Sequence, residues 1–198
     1  VDLRALNKKS IILDKIKEFR VRLAEEQIPL EVLPGCDFPL SGEALELLEH
    51  DSVLTINDNR RYLLLELPDL SLPPATEEIC YTLQCRGLTP IITHPERHFI
   101  LQEKPEKLGR LLDLGCLTQM TAGSLTGFFG RRVAKLSSNL VKNGYIHLLA
   151  SDAHGCRGRT PQLSQAVALV SRLIGHEEAM AMVTSIPEKI ISGDTVSD

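Results

Sequence analysis

Asp152 and His154 stand two residues apart, just past the apolar run Ile146-His147-Leu148-Leu149-Ala150. Along a strand that spacing points both side chains to one face, and just beyond a strand end it keeps them close together. A carboxylate beside an imidazole suits Mn, Fe, Zn or Mg better than soft copper. His94 closes a second apolar run, Pro90 to Thr93, and Glu66 is set into the end of a third, Tyr62 to Leu67. On neighbouring parallel strands these four groups converge on one rim. A carboxylate able to bridge two ions, surrounded by His and Asp, is how a two-metal hydrolase clamps attacking and leaving oxygens. Asp37, just after Pro34-Gly35, is a further candidate ligand, with a plain turn aspartate as the competing reading.

Each group has an ordinary structural alternative. His94 reads equally as a satisfied strand-end histidine, Asp152 as an N-cap, and Glu66 as half of a buried ion pair. None of these explains why three different strands end in ligand-type residues. Arg97 and Arg159 lie three residues after His94 and seven after Asp152. A guanidinium fork matches phosphate oxygens bidentately, so two arginines at a metal rim imply a phosphate ester substrate. Their alternative is salt bridging, to Glu96 and to Asp152. Cys80 and Arg86 match a C-x5-R phosphatase loop, but the intervening residues lack glycine and read as mid-helix. Such chemistry needs a loop of backbone N–H groups around the phosphate, so the match is treated as chance.

The elements that must position these groups alternate between strand and helix. Asn7 to Glu26 carries Ile11, Ile12, Ile16, Phe19 and Leu23 at helical spacing, predicting an amphipathic helix. Short strands are predicted at Leu30–Leu33, Val53–Ile56, Arg61–Leu67, Pro90–Thr93, Cys116–Met120 and Ile146–Ala150. Helices are predicted at Gly42–His50, Pro74–Arg86, Pro105–Leu114, a segment reaching Lys142, Gln162–Ile174, Glu177–Thr184 and Pro187–Ile191. The Tyr62–Leu67 run is continuous rather than alternating, as in strands covered by helices on both faces. The repeated βα order predicts an α/β fold with a mostly parallel sheet, a barrel or partial barrel being the leading form.

The bulk composition sets limits. A chain of 198 residues fits one domain, and 43% hydrophobic content supplies a core. A formal net charge of -4 gives no sign of a nucleic-acid-binding surface. Five cysteines without paired C-x-x-C spacing fit reduced thiols in a cytoplasmic protein, and no apolar run approaches membrane-span length.

Leu65-Glu66-Leu67-Pro68, Ile92-Thr93-His94-Pro95-Glu96-Arg97, Gln119-Met120-Thr121-Ala122-Gly123-Ser124-Leu125 and Ala150-Ser151-Asp152-Ala153-His154 together resemble one family. It is the bacterial protein tyrosine phosphatases of the PHP (polymerase and histidinol phosphatase) superfamily, of the CpsB/CapC/YwqE type. The resemblance runs from about Leu6 to Ile191. It implies a distorted (β/α)7 TIM-like barrel with two or three divalent ions, usually Mn2+, at the C-terminal rim. It implies hydrolysis of phosphotyrosine on a bacterial tyrosine autokinase that controls capsule or exopolysaccharide synthesis. By position, Glu66 resembles the bridging carboxylate, His94 a ligand of the second metal, and Asp152 and His154 ligands completing the cluster. Arg97 and Arg159 would hold the phosphate, and Asp37 stands where the family has a Glu after Pro-Gly.

The family's opening H-x-H strand, acidic loop and T-P-H strand are absent from this sequence, which opens Val1-Asp2-Leu3. The expectation is a single PHP phosphatase domain over residues 1–198 that lacks its first strands and about half its metal ligands. Alternatives are a catalytically inactive relative that acts only by binding, and a PHP phosphatase for a small phosphate ester. A homo-oligomer is a further expectation; nucleic-acid binding and membrane insertion are not expected.

Overall fold

Alternating side chains on a β-strand face opposite ways, so a strand apolar at every position must be covered on both sides. That rule sets the architecture. A computed structural model describes residues 9–40 and 53–196. Among the described residues five strands form one wholly parallel sheet in sequence order: β1 (Asp37–Pro39), β2 (Tyr62–Glu66), β3 (Thr89–Thr93), β4 (Leu117–Thr121) and β5 (Leu148–Ala150). The helices are α1 (Lys9–Glu25), α2 (Thr76–Cys85), α3 (Phe99–Glu103), α4 (Glu106–Asp113), α5 (Ala122–Leu125), α6 (Arg131–Lys142), α7 (Ser164–Ile174), α8 (His176–Ala181) and α9 (Ser185–Ser192). The predicted α/β class with a parallel sheet is what the chain adopts.

Leu63, Leu65, Ile92, Met120 and Leu149 point to one face, into the main core beneath the helices. Tyr62, Ile91, Leu117 and Leu148 point to the other, where they meet Ile190 of α9 in a smaller apolar cluster. Continuing this second alternation toward the strand ends brings Glu66, Thr93 and Thr121 onto the same face. Asp37, level with Leu64, joins them. The face is thus apolar at its base and polar at its rim. The sheet is also strongly curved. Alternate strands of a flat sheet lie roughly 9–10 Å apart, yet the Thr93 hydroxyl of β3 donates to Asp37 Oδ1 of β1 at 3.0 Å, across β2.

Residues 190–196 are clasped from the start of β2. Asn57 and Asn59 each donate to the Ile191 carbonyl at 3.1 Å, and the Tyr62 hydroxyl donates to the Asp194 carbonyl at 2.6 Å.

Two predicted strands do not form. Leu30–Leu33 has no strand pairing and Leu30 is exposed; the sheet starts at Asp37 instead. Val53, Leu54 and Thr55 are buried but unpaired, and the chain passes directly into a 3-10 turn, Ile56–Asp58, with Asn57 at positive φ. Among α1 residues only Leu23 is fully buried, so most of the expected apolar stripe remains accessible. Cys80 lies fully buried within α2, as the helix reading of the C-x5-R match requires. The predicted Gly42–His50 helix lies outside the described residues, as do residues 1–8 of the amino-terminal segment. Among the described residues no helix is long and apolar enough to cross a membrane.

Candidate active site

Parallel strands expose all their C-terminal ends on one side, and the candidate residues gather there. Glu66 is the last residue of β2. His94 directly follows β3 with φ 37 and ψ 50, in the left-handed region, and Pro95 then prevents the strand from continuing. Asp152, two residues beyond β5, also has positive φ, 49. Such backbone costs a non-glycine residue about 1–2 kcal/mol. Both kinks occur at residues singled out by their chemistry, where strain persists when the surroundings dictate it.

Asp37, Glu66 and His94 each offer a ligand atom within 4.8 Å of the others. His94 Nε2 lies 3.2 Å from Glu66 Oε1 and 3.8 Å from Asp37 Oδ2. Burial, followed by the Arg97 charge, pushes His94 down to about 4, so at neutral pH its imidazole is uncharged with a free lone pair. Burial and the Glu66 charge push Asp37 up to about 6. Burial, then Asp69, raises Glu66. Two crowded carboxylates and a neutral imidazole fit a divalent cation, which would relieve the repulsion between the acids. Asp37 is thus a strand residue facing this cluster rather than a residue of a turn.

Asp152 and His154 lie outside that mutual 4.8 Å group. Asp152 Oδ2 is held by Arg159 Nη1 at 2.6 Å and Arg97 Nη2 at 3.1 Å, and accepts from the Thr121 hydroxyl at 3.4 Å. Both arginines therefore pair with Asp152, whereas the salt-bridge alternative divides them between Glu96 and Asp152. Their convergence on one oxygen also shows that this spot concentrates enough positive potential to hold an anion. His154 is largely exposed, its Nδ1 2.8 Å from the Asp152 carbonyl. The Arg97 guanidinium is packed over the Phe129 ring, 4.9 Å from its centroid, a cation–π contact that fixes its plane.

Sequence reasoning assigned no part to Thr93, Thr121 or Ser124, and gave Glu96 only as a salt-bridge alternative for the arginines. Glu96 is completely buried. Its Oε1 accepts from the Thr121 backbone N–H at 3.1 Å and the Ser124 hydroxyl at 2.6 Å, while Oε2 has no partner. Burial outweighs those bonds and pushes the acid up to about 7. Glu96 thereby ties the turn after β3 to the start of α5, between the two arms of the rim. An acid between Pro95 and Arg97 reads as surface-exposed in sequence; only the fold shows that it is enclosed.

On the sheet's far side from β1, a cavity of about 120 Å³ opens beside Arg159 between α5, the following loop and α7.

The family profile described as capsular polysaccharide synthesis, CpsB/CapC, matches residues 3–192. The tyrosine-protein phosphatase YwqE of Bacillus subtilis is 34% identical over 190 residues, covering 96% of this chain and 74% of that protein. The tyrosine-protein phosphatase CpsB of Streptococcus pneumoniae is 28% identical over 185 residues, covering 89% and 73%. The solved structures of YwqE and CpsB from these two species, described as unique metal-dependent tyrosine phosphatases, include a chain that superposes with a TM-score of 0.92. That chain is 33% identical, and the match covers 96% of this chain and 76% of the other. Sequence and fold agree over nearly the whole length, and the chain belongs to the CpsB/CapC family of capsular polysaccharide synthesis proteins.

Proposed function

We propose that this chain is a metal-dependent protein tyrosine phosphatase domain spanning residues 1–198, with Asp37, Glu66 and His94 at the centre of its metal site. The observation that carries the reading is the shared rim: a ligand cluster of two acids and a neutral imidazole beside two converging guanidinium groups. Relatives named as tyrosine-protein phosphatases support the substrate class.

In this reading Asp152 and His154 complete the ligand set from the opposite arm. These residues would hold a divalent ion, which would supply Lewis acidity. Oxygen and imidazole donors accept Mn2+, Fe, Zn or Mg, and the family resemblance selects Mn2+ among them. Arg97 and Arg159 exchange their shared carboxylate oxygen for phosphoryl oxygens, orienting the ester and neutralising charge that grows in the transition state. Asp152, released by the arginines, would be a carboxylate available as a further ligand. Thr93 holds Asp37 and Thr121 holds Asp152, so each acid keeps one anchor throughout. The rim opens to solvent, which suits a tyrosine presented on a protein surface. The physiological substrate in this reading is a bacterial tyrosine autokinase governing polysaccharide export, met in the cytoplasm.

The direct test is phosphate release from a phosphotyrosine peptide with Mn2+ present, repeated with EDTA and with Glu66→Gln. Metal-dependent release that E66Q abolishes is the expected result. No release at any metal concentration would overturn the assignment. Parallel assays on small phosphate esters tell whether peptide or small molecule is preferred.

A further inference from the structure

We infer that the cavity beside Arg159 seats the aromatic ring of the substrate, and that Phe128 is the residue that makes the site prefer aryl over alkyl phosphates. The inference rests on the phosphatase reading above and adds the means of selection.

Arg159 is the one charged residue lining the cavity; the other lining residues are uncharged, among them Thr121, Gly123, Thr126, Phe128 and Gln165. A ligand here is thus anionic where it meets Arg159 and neutral elsewhere. The size suits one ring: a cavity of roughly 150 Å³ holds benzene, and this one, about 120 Å³, is open to solvent and leaves room for a chain to continue outward. Arg159 both lines the cavity and shares Asp152 Oδ2 with Arg97, so a phosphoryl group held by the two arginines lies next to the cavity.

Phe128 is more than half exposed although it lines the cavity. Its position is well defined. Gly127 and Gly130 bracket Phe128-Phe129 at φ 89 and 91, a conformation that L side chains rarely adopt. The Phe128 N–H donates to the Gly123 carbonyl at 3.0 Å. The two rings meet edge to face, with centroids 5.0 Å apart. Phe129 serves Arg97, while Phe128 presents an unfilled aromatic surface to the cavity. An aromatic pair adds about 0.5–1.5 kcal/mol beyond burial, or roughly two- to twelvefold in affinity.

The test compares phenyl phosphate with cyclohexyl phosphate as substrates of the Mn2+-loaded protein. The reactivity difference between the two leaving groups cancels when variants are compared by the ratio of kcat/KM values. Phe128→Ala should lower the phenyl-to-cyclohexyl ratio about tenfold, mainly through KM, and Phe128→Tyr should restore it. Because Phe128 also touches Phe129, a second variant approaches from exposed Gln165 on α7. Gln165→Trp should weaken inhibition by phenylphosphonate more than inhibition by methylphosphonate. An unchanged ratio in F128A, or equal loss on both esters, overturns the inference. If no ester is turned over, the phosphatase reading falls by itself. Calorimetric titration of phenylphosphonate against methylphosphonate then still decides the cavity: equal affinities refute it, and a preference that F128A removes supports it.

Discussion

Replacing Glu96 with Gln should flatten the decline in stability of the metal-free protein between pH 5 and pH 8. Burial pushes the acid from an ordinary 4.5 up to about 7. The folded state therefore holds this proton more tightly than the unfolded chain. Stability from this group is fully present below 4.5 and is lost as pH rises through 7. At 1.36 kcal/mol per pKa unit, the complete loss is about 3 kcal/mol, and about 2–3 kcal/mol of it falls between pH 5 and pH 8. Gln keeps an oxygen for the Thr121 N–H and Ser124 hydroxyl, and places an amide where Oε2 has no partner. That substitution costs about 1–3 kcal/mol independently of pH. Asp37, raised to about 6, adds a trend of the same sign, whereas His94, lowered to about 4, opposes it by stabilising the fold as pH rises from 4 through 6.5. Both are present in either protein and cancel in the comparison. Urea unfolding in EDTA at the two pH values measures it. E96Q should gain about 2–3 kcal/mol relative to wild type on going from pH 5 to pH 8. A difference that stays constant would refute the argument that enclosure, rather than charge pairing, governs this acid.

Three further outcomes follow from the same geometry. Mn2+ at a hundred times its dissociation constant should stabilise the protein by about 2.7 kcal/mol, raising Tm by roughly 5–10 °C; H94A should abolish the shift in differential scanning fluorimetry. Metal affinity should fall as pH drops below about 6, because Asp37 then keeps its proton; calorimetric titration at pH 5 and 7 reads this, and equal affinities would contradict it. Arg159→Ala should lower kcat/KM for a phosphotyrosine peptide by roughly 10- to 100-fold, the range for one charged hydrogen bond of about 1.5–3 kcal/mol. Arg159→Lys, which keeps the charge but not the planar fork, should recover only part of that loss in steady-state assays.

The strands were legible where apolar runs ended in Pro, Gly or a charged group. Tyr62–Glu66 and Thr89–Thr93 lie within a residue or so of the positions read from sequence. Leu30–Leu33 and Val53–Ile56 misled because a short apolar run carries no information about a partner. The first is drawn to α1, where Arg20 Nε donates to the Val32 carbonyl at 2.9 Å; the second packs inward without ladder bonds. For the candidate site, strand-end positions singled out Glu66, His94 and Asp152, which the fold places at the same ends of the parallel strands. Whether a guanidinium faces a phosphate or a carboxylate depends on distances between chain segments far apart in sequence. The same holds for Glu96, whose partners Thr121 and Ser124 lie 25 and 28 residues away. Local pattern cannot report enclosure by distant segments.

The clasp on residues 190–196 has a consequence for how the chain acquires its fold. Every strand pairs with the next one made, so the sheet can be laid down from β1 to β5 as the polypeptide emerges, each step closing only a short loop. The bonds from Asn57, Asn59 and Tyr62 to the far end span 131–134 residues. They cannot form until residues 190–196 have been made. Until then Tyr62, Ile91, Leu117 and Leu148 lack the Ile190 side chain that covers them. Nascent chains halted before residue 190 would thus carry the rim residues together with an open apolar floor, the state most exposed to chaperones and to self-association.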